Sequence, residues 1–342
     1  MSVGKLVLHF DIRNTILVAD SVTNVTVEQA LNSYLTSVAW GQLNHSNQWS
    51  WLEQSPTPSI DRPGANGITY YKFEEAMLIK TALDRIRFRK MMGNFTETEI
   101  GRPFLPVFEC HLKCLEYEHQ FNPYLCMKGA NGRKYHYVLP SFFELLNYLC
   151  QQKRNYAVVL RTFGLDAPNV LSTTKLVTQG CHPEFPDGLP LSVSSETAKI
   201  VRSADSITMQ WKDELLTNEN QIYEQICEMG TDISAVVDDF HWWMASEFHH
   251  SAGKPFWMST EDSEQVTHVF FDDNIRLQEP DSIVDVRVLD GQKASSMSGQ
   301  ETEKLKDKNL VQVDLLSAIS DRQYFVKCLQ ICERNLAKSD AK

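Results

Sequence analysis

Several separated stretches of this 342-residue chain carry side chains that handle cations and oxyanions, most of them just beyond an apolar run. Phe10-Asp11-Ile12-Arg13-Asn14-Thr15 sets a carboxylate after one such run, and Arg161-Thr162-Phe163-Gly164 sets a hydroxyl and a glycine after another. Asp238-Asp239 and Asp272-Asp273-Asn274 follow two more, and Gly253-Lys254-Pro255 supplies an ammonium upstream of the last. Each alone has an ordinary use. An Asp after a strand caps a helix or turn, Thr-x-Gly makes a turn, and an acidic pair faces water. The conjunction is more specific: carboxylates suit a hard divalent cation, while a hydroxyl and an ammonium suit phosphoryl oxygens.

For these residues to meet, the runs before them must be neighbouring strands. Residues 5–10 (KLVLHF), 156–160 (YAVVL), 233–237 (ISAVV), 266–271 (VTHVFF) and 283–288 (IVDVRV) lack apolar–polar alternation, as strands buried on both faces do; 310–313 is a weaker sixth. Helical patterns lie between them. Thr26-Val27-Glu28-Gln29 is a capping box, followed by Val27, Ala30, Leu31, Tyr34, Leu35 and Val38 at helical spacing. Pro140 opens a helix with Phe142, Leu145, Leu146 and Leu149 on one face, and 315–336 reads as a third. The expected fold class is α/β, a doubly wound parallel-sheet core whose ligands sit at the carboxyl ends of the strands.

The first two strands stand too far apart for one crossover, so a large insertion is expected after strand one. The expected division is a core of 1–39 plus 135–342 and an inserted subdomain of 40–134. That subdomain has a Trp-rich stretch (Trp40, Trp49, Trp51) and an amphipathic stretch over 70–92. Residues 290–308 are polar and low in aromatics and read as a flexible surface loop.

A balance of 33 basic against 44 acidic residues gives a net charge of −11, which argues against nucleic acid or an anionic membrane as the main partner. The one basic stretch, Arg85 to Lys90, reads as a solvated helix face. Only three apolar residues separate Lys5 from His9, too few for a signal peptide, and no run approaches a membrane span. A cytoplasmic location is expected, with the eight cysteines as free thiols and glycosylation-type tripeptides such as Asn24-Val25-Thr26 without meaning.

The order of these stretches along the chain resembles that of the haloacid dehalogenase-like superfamily. FDIRNTI, VLRTFG, VVDDFHWW, AGKPFWM and VFFDDNI look like the signatures of an uncharacterised eukaryotic and protist group within it. The resemblance covers the core and excludes the insertions. It implies Asp11 as nucleophile and Mg²⁺ ligand, Thr162 as donor to the phosphoryl group, and Lys254 as the stabiliser of nucleophile and phosphate charge. Asp272 and Asp273 would hold Mg²⁺ directly or through water, and the insertion would be the mobile cap. Arg13 and Gly164 are candidate substrate contacts read from the residues themselves.

Arg13 departs from the family pattern, which usually has a second Asp there to protonate the leaving group. A guanidinium holds its protons too tightly to do so. Arg13 can pair with Asp11 or Asp272 in place of a metal, bind a substrate phosphate or carboxylate bidentately, or face solvent. Asp238 and Asp239 are either extra acid–base groups or caps for the helix carrying Trp242 and Trp243. Asp20 is a loop carboxylate within reach of a site or solvated, and His182, His249 and His250 lack partners at metal-ligand spacing. Two main functions follow, with non-phosphate chemistry at the same Asp11, such as dehalogenation or phosphonate cleavage, as a third. One is a Mg²⁺-dependent hydrolase or phosphotransferase acting on a phosphorylated small molecule. The other is a catalytically inactive protein that binds a protein partner on a retired phosphatase core, with the Trp-rich insertion as its contact.

Overall fold

The computed structural model describes residues 4–19, 25–79, 82–259, 266–277, 279–291 and 293–340. The chain divides into two compact units, one of Met1–Leu17 with Val138–Lys342 and one of Val18–Tyr137. The first is mixed α/β. Its strands are β1 (Lys5–Asp11), β2 (Tyr156–Thr162), β3 (Ser192–Arg202), β4 (Ile207–Trp211), β5 (Glu214–Leu216), β6 (Asp232–Val237), β7 (Lys254–Ser259), β8 (Val266–Asp272), β9 (Val284–Asp290), β10 (Lys293–Ser296) and β11 (Leu310–Gln312). Its helices are α1 (Pro140–Gln151), α2 (Ala167–Thr178), α3 (Glu219–Glu228), α4 (Phe240–Ala245), α5 (Gly299–Glu303), α6 (Leu315–Ser320) and α7 (Tyr324–Asp340).

Eight strands form the central sheet in the order β5-β4-β3-β6-β2-β1-β8-β11. The six from β3 to β11 run parallel, and β4 and β5 continue the β3 edge as antiparallel strands. β1 is central, and Leu6, Val7, Leu8 and Phe10 are at most 1% exposed because both faces of the sheet are covered. On one face Phe10 stacks on Phe271 at 4.4 Å and meets the edges of Phe142 (α1) and Phe325 (α7). On the other face the cover is a second sheet, β7-β9-β10, whose Phe256 packs against His9 and Phe270. Fully burying one such phenylalanine contributes roughly 1.5–3 kcal/mol.

This second sheet corrects the expected topology. The run 283–288 is a strand (β9), but it pairs in parallel with β7 rather than in the central sheet. The segment 290–308, expected as a loop, holds regular elements among its described residues. β10 pairs antiparallel with β9, Ser296 Oγ donates to Asp285 Oδ1 at 2.8 Å, and the Ser298 N–H donates to Glu301 Oε2 at 3.1 Å to open α5. The single C-terminal helix expected over 315–336 is two, α6 and α7.

The second unit begins earlier than the expected residue 40. Helix Val27–Ser37, assigned from sequence to the core, packs against helices Tyr70–Leu78, Ala82–Met92 and Leu105–Cys114. Its capping box at Thr26 and Gln29 is present as read. Strands Trp40–Leu43, Trp49–Trp51 and Ile68–Thr69 form a small sheet. The three indoles of this stretch serve the unit itself, since Trp40, Trp49 and Trp51 donate to the carbonyls of Ser59, Ile68 and Ile100. Among the described residues no helix is long and apolar enough to cross a membrane.

Candidate functional site

The register of the parallel strands sets the site. Asp11 lies opposite Arg161, so Thr162 is the next residue at that edge, and the Phe10–Phe271 pair puts Asp11 level with Asp272. After Asp11 the chain makes a tight turn in which Ile16 N and Leu17 N both donate to Ile12 O at 3.0 Å. Asn14 takes the left-handed conformation (φ 59°), which its short polar side chain tolerates better than most. The turn points Thr15 Oγ1 at Asp11 Oδ2 (3.3 Å) and Asn14 Nδ2 at Asp273 Oδ2 (3.4 Å).

Asp11, Asp272 and Asp273 each offer an oxygen within 4.8 Å of the others. Lys254, wholly buried at the start of β7, bridges two of them, donating to Asp11 Oδ1 at 2.5 Å and Asp272 Oδ2 at 2.8 Å. Gly253 allows this approach, because a Cβ there would lie 2.1 Å from the Ile283 carbonyl oxygen. Burial alone would lower the Lys254 pKa, but the carboxylates of Asp11, Asp272 and Asp238 outweigh it and hold the ammonium charged. For Asp11, burial raises the pKa to about 7, with Lys254 opposing and Asp272 adding to the rise. For Asp273, burial and the charges of Asp272 and Asp11 push the carboxyl well above its usual range against the pull of Arg276 and Lys254.

Three carboxylates around one bridging ammonium have an excess of negative charge that either protons or a cation must relieve. An all-oxygen donor set fits a hard divalent ion such as Mg²⁺ rather than a soft one. Asp11, Asp272 and Asp273 are the residues that could hold it. Asp272 Oδ1 already accepts from Asn274 N at 2.9 Å, but each carboxylate oxygen has a second lone pair.

Thr162 Oγ1 accepts from Gly164 N at 2.8 Å, which leaves the hydroxyl hydrogen to donate to an anion. A Cβ at Gly164 would stand 2.9 Å from Asp166 Oδ2 and 3.3 Å from Thr162 Oγ1, so glycine keeps this turn compact. Phe163 between them stacks on Trp243 at 5.1 Å, with Lys254 Nζ over its ring at 5.3 Å. Sequence reasoning gave neither aromatic a role; a hydrophobic residue inside Thr-x-Gly was the available signal.

Arg13 is half-buried and its backbone bridges to Leu17. Asp238 is neither a helix cap nor a spare acid. It forms a buried two-pronged pair with Arg161, at 3.0 and 2.5 Å. Asp239 is the cap, accepting from Trp242 N at 3.0 Å while its other oxygen accepts from Arg202 N at 3.0 Å. His182 is buried against Phe143 and Phe185 and accepts from Glu184 N. His249 is engaged with Ser251. Asp20 lies outside the described residues.

Comparison with family models, with curated proteins and with solved structures gave no match to this chain.

Proposed function

We propose that this chain is a Mg²⁺-dependent phosphoryl-transfer enzyme of haloacid dehalogenase-like type, a hydrolase or phosphotransferase acting on a phosphorylated small molecule through an aspartyl-phosphate at Asp11. The observation that carries this reading is the buried Lys254 ammonium joining Asp11 to Asp272, with Asp273 completing an oxygen cage. In this reading the unit Val18–Tyr137 takes the part of a substrate-selecting cap.

An Asp11 oxygen forms the bond to phosphorus as the bond to the leaving group breaks, and the leaving oxygen departs with the electron pair. Lys254 and Thr162 donate to the phosphoryl oxygens, so positioning and electrostatics supply most of the acceleration. Bound Mg²⁺ would supply charge neutralisation at the carboxylates and polarise the phosphoryl group. Water, or an acceptor hydroxyl, then attacks phosphorus as the bond to Asp11 breaks, its proton passing to the phosphate formed and the Asp11 carboxylate being freed. A guanidinium at position 13 is no general acid, so leaving groups stable as anions, such as the carboxylate of an acyl phosphate, are favoured over alkoxides.

Arg13 is also the observation that favours a second reading, a catalytically inactive binding protein on the same core. The test is a melting curve with Mg²⁺ and BeF₃⁻, which mimics an aspartyl-phosphate. A ligand at about 100 times its Kd adds roughly 2.7 kcal/mol, and the gain is expected to vanish in Asp11→Asn. A well-folded wild-type chain whose melting temperature does not move would refute the enzyme reading.

A further inference from the structure

Each strand that brings a residue to the site is in touch with one guanidinium. Arg161, at the end of β2, is wholly buried. Its Nε and Nη2 donate to Asp238, just past β6, at 3.0 and 2.5 Å. Nη2 also donates to the Pro255 carbonyl on β7 at 3.0 Å, next to Lys254. Nη1 lies 3.4 Å from His9 Nδ1 on β1, two residues before Asp11, and must be the donor there. The guanidinium lies over the ring of Phe270 on β8 at 5.4 Å, two residues before Asp272.

Lys254 most needs such a tie. It starts β7, a strand of the second sheet, so the ladder that aligns Asp11, Thr162 and Asp272 does not set its register. Arg202, at the end of β3, completes the attachment. Its guanidinium donates to the carbonyls of Ser251 (2.9 Å) and Gly253 and to Asp285 Oδ2 (2.8 Å). Two arginines of the central sheet therefore hold the carbonyls of Ser251, Gly253 and Pro255, on both sides of Lys254.

We propose that Arg161, assisted by Arg202, is a positioning residue that fixes β7 so that the Lys254 ammonium reaches Asp11 and Asp272. The catalytic consequence rests on the phosphoryl-transfer reading; the positioning itself does not. A lysine at 161 keeps the charge opposite Asp238 but lacks the planar fork that spans both Asp238 oxygens and the Pro255 carbonyl. Misplacing a charge-stabilising group in this way lowers turnover more than binding.

The test uses the full-length chain with Arg161→Lys and Arg202→Lys. Turnover of p-nitrophenyl phosphate with Mg²⁺ is expected to lose ~10–100-fold in kcat for Arg161→Lys, with KM within about threefold. A second readout needs no activity: acetylation of Lys254 by an N-hydroxysuccinimide ester, scaled to the exposed Lys175, with thiol labelling of the buried Cys332 of α7 as a monitor of global opening. Lys254 labelling is expected to rise about tenfold in Arg161→Lys with Cys332 still protected, the signature of local release. Arg202→Lys is expected to shift Lys254 labelling the same way. If Arg161→Lys does not fold, Asp238→Asn, which loosens the same fork, is expected to show the same selective exposure. Labelling of Lys254 at the wild-type rate in the folded variants, or joint exposure of Lys254 and Cys332, overturns the proposal. A wild-type chain that neither turns over the probe nor responds to BeF₃⁻ removes the phosphoryl reading, and the labelling result then decides the positioning claim by itself.

Discussion

Without a metal, the site makes folding pH-dependent in a direction opposite to that of most carboxylates. Asp11 has its pKa raised from 3.8 to about 7, chiefly by burial. As pH rises from 4 to 7 the unfolded chain loses this proton while the folded chain keeps it, so the folded state binds more protons and stability falls. Three pH units at about 1.4 kcal/mol each set the loss at roughly 4 kcal/mol, complete once the pH passes 7. The perturbation is Asp11→Asn, which keeps the shape and removes the titration. Urea unfolding in EDTA, at pH 5 and pH 8.5, supplies the comparison. Relative to wild type, the variant is expected to be more stable at pH 8.5 than at pH 5 by about 3 kcal/mol, because pH 5 already lies one unit into the window. Mg²⁺ is expected to restore wild-type stability at the higher pH, because the cation replaces the proton. Parallel pH dependences for wild type and Asp11→Asn in EDTA would refute the reasoning.

Arg13→Asp is expected to raise turnover of alkyl phosphates relative to acyl phosphates by ~10²–10⁴-fold, the usual worth of a general acid, as read by phosphate release from the two substrate types. Gly253→Ala puts a methyl 2.1 Å from the Ile283 carbonyl oxygen and is expected to abolish the BeF₃⁻-induced melting shift while circular dichroism stays native. Asp239→Ala removes both the cap of α4 and the acceptor of the Arg202 N–H and is expected to cost about 1–2 kcal/mol in urea unfolding. Asp273→Asn is expected to weaken Mg²⁺ binding, measured by calorimetry, and to flatten the fall in stability with rising pH, in the same direction as Asp11→Asn.

Asp11, Thr162 and Asp272 were legible because each ends a run buried on both faces, where a polar side chain must be at the rim or paired. β7 was not legible as a strand: KPFWMS opens with a lysine and a proline, which read as a loop, and its ladder partner β9 matched the pattern of the central sheet equally well. β3 was missed because it lies near the antiparallel edge and buries only alternate residues such as Ala198 and Ile200. The polar composition of 290–308 suggested no order because the ties that fix it, to Asp285 and the β9 backbone, come from another segment. Arg161 stood in plain view within RTFG. A charge one residue inside a buried run requires a partner, but nothing local indicates that the partner is Asp238, 77 residues on.

The charge balance of the site separates two questions that Arg13 raises together. Losing a proton donor bears on how a leaving group departs. It does not bear on whether Asp11, Asp272 and Asp273 gather a cation. Keeping three carboxylates together around one ammonium costs stability at neutral pH unless a proton or a metal ion relieves it, and Lys254 is already committed to two of them. Cation binding is therefore expected under the enzyme reading and under the binding reading alike, and Mg²⁺ affinity cannot choose between them. BeF₃⁻ can, because it requires an Asp11 oxygen poised to bond to a tetrahedral centre while Lys254 and Thr162 donate to its other ligands. A chain that binds Mg²⁺ at these aspartates but gives no further response to BeF₃⁻ has kept the cation site without the phosphoryl chemistry.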